Sequence, residues 1–213
     1  MLILAVSTSA KNPSAALLRA DGSIAVKTDE SGSPHSVSLM PLVDELLSEN
    51  GIRAEDADLF AVDIGPGSFT GVRIGVSAVN AMAAACKKMI VPVSSLAALR
   101  HARGEIDCNQ TVVTLLDARN GNGYAAVYRG GACILKPCAC VIGEIMAQYG
   151  EQSVLIGDCF GMRDQCSAEL VIREALAMLD KAKANGEDCL VSSAVPLYLR
   201  PSQAERMKNK TEQ

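Results

Sequence analysis

The stretch that decides the fold is LAVSTSAKNPSAALLR, residues 4–19, because a related stretch, TLLDARNGNGYAAVYR, recurs at residues 114–129. The two stretches align without a gap, so that Ser7 meets Asp117. Each contains two short apolar runs separated by turn-forming residues, a pattern that predicts paired β-strands. A second copy at a fixed distance along the chain indicates a duplicated structural unit.

The segments around the two copies extend the repeat to a β-β-β-α-β-α unit. In the first copy the predicted order is strands at 2–6, 14–19 and 23–27, a helix beginning near 36–38, a strand at 58–65 and a helix over 70–88. In the second copy the corresponding segments are 114–129 and 132–136, a helix at 142–149, a strand at 153–158 and a helix at 168–184. Between the copies lie a short strand, 90–93, and a helix from Ser95. Apolar spacing and turn residues therefore predict an α/β fold built from two such units.

This layout resembles the actin-like ATPase fold (ASKHA, RNase H-like), which also includes sugar kinases and Hsp70 ATPases. The resemblance implies an N-terminal domain over 1–104 and a shorter C-terminal domain over 105–213. The end of the chain, about 196–213, is expected to pack back on the N-terminal domain. In such folds the turns after the first strand of each unit face each other across a cleft. A working ATPase needs carboxylates there to handle metal and phosphate, but this chain offers Ser7 and Asp117, one carboxylate instead of two.

A glycine-rich stretch, GPGSFTGVRIG at residues 65–75, follows a predicted buried strand. Its spacing matches neither the phosphate loop G-x-x-x-x-G-K-[ST] nor the dinucleotide pattern G-x-G-x-x-G. The first three residues predict a tight turn, and Ser68 or Thr70 is suited to cap the following helix. Gly71 and Gly75 then lie on one helical face, and since each costs about 1 kcal/mol relative to alanine, the pair indicates close packing by another helix. We interpret the stretch as a docking surface.

The same string resembles the signature of the TsaB family, also called YeaZ. Further pieces that support the resemblance are Thr8-Ser9 after the first strand, His35 before the first helix, Asp117–Arg119 with Tyr124 following, and PLYLRP at 196–201. Two positions depart from the family pattern. Ser7 stands where the family usually has Asp, and Asn122 stands where it usually has Glu.

The resemblance implies a non-catalytic subunit that supports the catalytic TsaD subunit in forming N6-threonylcarbamoyladenosine next to the anticodon of tRNA. A TsaD homologue is the expected heterodimer partner, and the ATPase TsaE is expected in the larger complex. The isolated chain is expected to form a homodimer through the same face. With a net charge of −4, no Trp and three Phe, the chain is a weak candidate for direct tRNA binding, so contact through the complex is expected.

In this family two N-domain helices form the dimer interface, and we carry that role over to the matching positions here. The predicted partner-binding residues are His35, Met40, Val43, Leu47, Ser68, Phe69, Thr70, Gly71, Arg73, Gly75, Ala78 and Met82. His35 is interpreted as a helix-start or interface residue, and Arg73 as part of an interface or scaffold ion pair, with anion binding as the alternative. Leucine at Gly71 or Gly75 is expected to abolish the complex and leave the fold intact.

No catalytic, metal-binding or cofactor-binding residue is assigned to the chain itself. A nucleotide, ATP or ADP, at the interface of the complex would be held mainly by the partners. The alternative function is an active ATP-dependent kinase or ATPase of the same superfamily, which would depend on Asp117, and a third is a peptidase. The histidines, His35 and His101, are too far apart in sequence for a helical metal pair.

The eight cysteines leave two interpretations open. One is a zinc site built on Cys138 and Cys140, and the other is a set of reduced thiols that serve as small apolar residues. The absence of paired Cys-x-x-Cys spacing favours reduced thiols and hence a reducing compartment. The start of the chain reads as a strand without a basic leader, and its apolar runs are short, so a cytoplasmic protein without a membrane span is expected.

Overall fold

The computed structural model describes residues 1–104 and 109–200, and two β-sheets form its framework. The first sheet contains five strands, β1 (Ile3–Ser7), β2 (Ser14–Leu18), β3 (Ile24–Thr28), β4 (Leu59–Asp63) and β5 (Met89–Val93), in the order β3-β2-β1-β4-β5. The second contains β6 (Thr111–Asp117), β7 (Asn122–Arg129), β8 (Ala132–Val141) and β9 (Ser153–Gly157), in the order β8-β7-β6-β9.

Five α-helices connect and cover the strands. They are α1 (His35–Glu49), α2 (Phe69–Cys86), α3 (Ser95–Leu99), α4 (Ile142–Tyr149) and α5 (Ala168–Asn185), and a short 3-10 helix lies at Ala54–Asp56. The helix predicted from Ser95 is therefore only five residues long.

The duplicated unit is confirmed by the strand pairing. β1 pairs antiparallel with β2 and parallel with β4, and β6 makes the same two kinds of pair with β7 and β9. The element order β-β-β-α-β-α therefore occurs twice with the same topology, as in the actin-like ATPase fold.

Successive side chains of β1 point to opposite faces of the first sheet, and the core is therefore divided into two layers. Leu4 and Val6 on β1 join the layer under α1 and α2, whereas Ile3 and Ala5 face the opposite layer. This alternation follows from the period of two in a strand, and burial of all five residues of β1 marks it as central.

The last helix lies on the first sheet, although it belongs to the second copy of the unit. α5 contacts β1, β2 and β4, and its buried side chains share a core layer with residues of both sheets. The predicted domain boundary between residues 104 and 105 therefore assigns α5 to a different domain from the sheet on which it packs. The division into two domains stays a prediction. Residues 201–213 of the predicted returning segment lie outside the described residues.

Two helix boundaries differ slightly from the expectation. α1 begins at His35, one residue before the predicted start, and Pro41 lies in its second turn rather than its first. A proline at this position removes the hydrogen bond to the carbonyl of Val37, but both residues are exposed, so water can reach that carbonyl. α2 begins at Phe69 because Ser68, and not Thr70, is its N-cap.

α2 has the length and hydropathy of a membrane-spanning helix, with 33% of the segment buried inside the fold. Core helices of soluble proteins satisfy the same criterion, so the finding is weak evidence for a span.

Candidate functional site

The start of α2 is anchored on the turn that follows β1. The Ser68 hydroxyl accepts a hydrogen bond from the Gly71 N–H at 3.2 Å and thereby caps the helix. The Ser68 N–H donates to the carbonyl of Ser9 at 2.8 Å. The buried Thr8 hydroxyl donates to the Gly71 carbonyl at 2.7 Å. Three hydrogen bonds therefore position the first turn of α2.

The glycines of α2 serve this internal contact, which corrects our prediction that they face a partner. A Cβ atom on Gly71 would lie 2.1 Å from the Thr8 carbonyl oxygen, and one on Gly75 would lie 2.2 Å from the Thr8 hydroxyl oxygen. A Cβ atom on Gly67 would meet Ser9 at 2.6 Å. Gly71 and Gly75 are buried, so leucine at either position is expected to disrupt the fold instead of probing the interface alone.

A groove of about 480 Å³ lies between α1, α2 and the segment that follows α1. Four predicted interface residues, Met40, Val43, Leu47 and Met82, line this α1–α2 groove. Met40 is exposed, whereas Val43 and Leu47 are buried and form the floor. The structure therefore brings these four residues together around one apolar depression, and Ala78 packs half-buried against the same core layer.

Another group of predicted residues lies at the N-terminal end of α2. The Arg73 side chain stacks over the ring of Phe69 at 3.9 Å from its centroid and donates from Nε to the Tyr198 hydroxyl at 2.6 Å. The Phe69 and Tyr198 rings are 5.0 Å apart. Arg73 therefore joins the end of the described chain to α2 through stacking and a hydrogen bond, and no ion pair of Arg73 is found among the described residues.

His35 links the start of α1 to the turn after β1. One nitrogen of its ring, Nε2, lies 2.9 Å from the carbonyl oxygen of Lys11. The other nitrogen, Nδ1, would lie 3.2 Å from a Cβ atom on Gly71. The helix-start interpretation of His35 agrees with this placement.

A cleft of about 450 Å³ separates the turns that follow β1 and β6. Its walls include Ser9, Lys11, His35 and Ser68 on one side and Asp117, Tyr124 and Asp158 on the other. The expectation that the two turns face each other is met. The turns after β1 and β6 offer one carboxylate, Asp117, and a second carboxylate in the cleft, Asp158, comes directly after β9.

The carboxylate of Asp158 contacts the backbone of Asp117. The Asp117 N–H donates to Asp158 Oδ1 at 2.7 Å. Burial raises the pKa of Asp158 and the charge of Asp117 raises it further, against the lowering effect of that hydrogen bond. Asp158 was not among the predicted site residues, although an acidic residue directly after a predicted strand was the available signal. Among the described residues, no group of three metal-ligating side chains is present here or elsewhere.

We expect Asp158→Asn to stabilise the fold at pH 7, because it removes the charge that the cleft disfavours and keeps an oxygen for the Asp117 N–H. The folded-state pKa is raised, so ionised Asp158 opposes folding above that pKa, and the penalty disappears below about pH 4. The expected rise in Tm is about 1–2 °C at pH 7, given the modest size of exposed charge interactions. Thermal unfolding at pH 7 and pH 3 tests this, and an equal rise at both values would contradict it.

The cysteines of β8 lie in a neutral, partly buried setting. Burial raises the pKa of both Cys138 and Cys140. Neither residue belongs to a group of three His, Cys, Asp or Glu side chains that could hold a metal among the described residues. The interpretation of these residues as reduced thiols stays a prediction.

Three comparisons place the chain among known proteins. A model of the family described as "TsaD: tRNA N6-adenosine threonylcarbamoyltransferase" matches residues 27–157. The chain is 28% identical to the tRNA threonylcarbamoyladenosine biosynthesis protein TsaB of Escherichia coli (strain K12), over 94% of this chain and 95% of that protein. It is 38% identical to the TsaB of Bacillus subtilis (strain 168), over 61% of this chain and 56% of that protein.

The same similarity is found among solved structures. YeaZ from Pseudomonas aeruginosa superposes with a TM-score of 0.70 at 27% sequence identity, covering 93% of this chain and 99% of that chain. The agreement extends over both sheets, so it concerns the whole described fold and not one copy of the repeat.

Proposed function

Because the chain belongs to the family described as TsaD: tRNA N6-adenosine threonylcarbamoyltransferase and is similar over nearly its whole length to TsaB (YeaZ) proteins, we propose that it is the non-catalytic partner subunit that binds a TsaD homologue and supports it in forming N6-threonylcarbamoyladenosine next to the anticodon of tRNA. The observation that carries the docking part of the proposal is the α1–α2 groove, an apolar depression with the exposed side chain of Met40 at its rim. Exposed apolar surface bordered by polar residues is characteristic of protein interfaces.

The surroundings of the groove suit a protein partner. Asp44, Arg53 and Glu55 stand at its edge and provide charges of both signs around an apolar floor. Such a polar rim excludes water around the buried contacts and orients the partner. A second copy of this chain would present the same surface, so the isolated protein is proposed to form a symmetric homodimer that the TsaD homologue displaces.

The remaining parts of the proposal follow from the family. TsaE is proposed to join the larger complex, tRNA to be held through the complex, and ATP or ADP at the interface to be held mainly by the partners. A cytoplasmic location is proposed, in agreement with the set of thiols that form no disulfide among the described residues.

A titration tests the proposal. Light scattering of the isolated chain gives its oligomeric state, and stepwise addition of the TsaD homologue from the same organism is expected to produce a species with the mass of the heterodimer. Calorimetry of the same mixture gives the Kd. If no complex forms at concentrations of tens of micromolar, the proposed partnership is wrong.

An active ATPase is the second candidate, and the observation that favours it is the pair Asp117 and Asp158 in the cleft. This candidate predicts metal-dependent ATP hydrolysis by the isolated chain that is lost in Asp117→Ala. Our proposal predicts turnover at the background rate for both proteins. A colorimetric phosphate assay with magnesium, in the absence of any partner, distinguishes the two.

A further inference from the structure

The carboxyl group of Asp63, at the end of β4, is fully buried at 0% exposure. One oxygen, Oδ1, accepts hydrogen bonds from the Gly65 N–H at 2.9 Å and from the Ser95 hydroxyl at 2.5 Å. The other oxygen, Oδ2, accepts from the hydroxyls of Ser7, at 2.8 Å, and Ser9. Four donors from the ends of β1, β4 and β5 therefore converge on one side chain.

Such a carboxylate is uncommon, because burying a charge is unfavourable unless it is paired or well hydrogen-bonded. Within residues 1–104 and 109–200, no Lys, Arg or His forms an ion pair with Asp63. Besides these hydroxyl and N–H donors, the buried thiol of Cys166 lies against the same carboxylate, so its acceptor directions are taken up by groups of the chain itself. The arrangement fits a group that holds chain segments together rather than one that binds a ligand.

The segments held by Asp63 are those that set the position of α2. Ser9 donates to Asp63 and its carbonyl accepts the N–H of Ser68, the N-cap of α2. The Gly65 N–H donates to Asp63, and the Gly65 carbonyl accepts the N–H of Ser95 at 2.9 Å. The first turn of α2, with Phe69, is therefore attached to the sheet through the partners of one carboxylate.

We propose that Asp63 is a positioning residue for partner docking: it fixes the first turn of α2 on the turn after β1, and thereby fixes Phe69 and Arg73, the predicted contacts of the TsaD homologue at this end of the helix. The inference rests on the proposed function for the identity of the partner. It extends that function to a buried residue outside the groove.

The neighbouring strand offers a specific test. Val6 pairs with Val62 in the parallel β1–β4 ladder, so the next residues, Ser7 and Asp63, lie side by side. The carboxylate can therefore be moved to β1 and the hydroxyl to β4 in Ser7→Asp/Asp63→Ser. The single change Asp63→Ser leaves four donors without their acceptor, and Ser7→Asp places two carboxylates in contact. The double exchange restores one carboxylate to the same space.

We expect each single variant to weaken binding of the TsaD homologue by roughly tenfold or more. The double exchange is expected to bind within about threefold of the parent, because the effects of substitutions at two contacting residues do not simply add. Hydrogen exchange provides a readout without the partner. The Val72 amide, bonded to the Ser68 carbonyl, is expected to lose protection in Asp63→Ser and to regain it in the double exchange.

Val113→Ala is the matched control, because it removes buried volume from the other sheet and lies outside this network. It is expected to lower stability with no selective loss of protection at Val72. If Asp63→Ser does not fold, Asp63→Asn, which keeps one oxygen, is compared in the same way. Equal exchange at Val72 in the Asp63 and Val113 variants would overturn the inference. Failure of the parent chain to bind the partner would refute the proposed function, and the exchange data would still decide the role of Asp63.

Discussion

Gly71→Ala is expected to destabilise the protein by about 3 kcal/mol, because the added methyl group has no space. The Cβ position lies 2.1 Å from the Thr8 carbonyl oxygen, and this neighbour is backbone that cannot rotate away. The helix must move off β1, and the hydrogen bond from Thr8 to the Gly71 carbonyl is then strained or lost. Thermal and denaturant unfolding measure the effect, with an expected fall in Tm of roughly 6–12 °C.

Gly143→Ala in α4 is the control for this prediction. Gly143 is also a helical glycine, but a Cβ atom there would meet nothing within 4 Å. Alanine is favoured over glycine in a helix, so a gain of about 0.5–1 kcal/mol is expected. Opposite signs at the two glycines would show that close packing decides the outcome. A neutral result for Gly71→Ala would mean that Thr8 does not pack on α2 as described.

Ala85→Glu is expected to weaken binding of the TsaD homologue by roughly 30-fold or more, which corresponds to about 2 kcal/mol. Ala85 is exposed on α2, one helical turn from Met82 at the α1–α2 groove. In a complex seated on the groove, the new carboxylate would lose water without gaining a partner. The isolated variant is expected to unfold near the parent temperature, because the substituted position is exposed. Calorimetric titration measures the Kd.

Ala184→Glu in α5 is the matched control for the docking prediction. Ala85 and Ala184 are both exposed alanines at the next-to-last position of an 18-residue helix, so the two substitutions carry the same helix-propensity and helix-dipole effects. The control is expected to bind the partner as the parent does. Equal Kd values for the two variants would place the interface elsewhere.

The sequence was sufficient for the order and type of the elements. The apolar run of the first strand and the turn-forming residues between the paired strands of each unit are patterns of residues close together in the chain. The helix over Ile142–Tyr149 was predicted with the observed boundaries. Strand and helix periods are local properties, which is why they could be read without knowledge of the tertiary contacts.

The candidate site was predicted less completely. The groove residues Met40, Val43, Leu47 and Met82 come together as helical spacing indicated, and their role as an interface stays a prediction. Asp63 and Asp158 were missed, because each was treated only as the end of a buried strand. The contacts of a residue at the end of a strand depend on which strands lie beside it. The neighbouring strands are set by the order β3-β2-β1-β4-β5 in one sheet and β8-β7-β6-β9 in the other.

The sequence by itself determined that GPGSFTGVRIG is a turn, a cap and a helix with two unusually small residues on one face. Only the tertiary structure decided what those small residues contact. Thr8 is 63 residues from Gly71 in the chain, yet its carbonyl oxygen occupies the space where the side chain would be. The parallel pairing of β1 with β4 brings the turn after β1 beside the start of α2. Helical periodicity identifies a face that needs space, but the partner on that face is selected by non-local strand pairing.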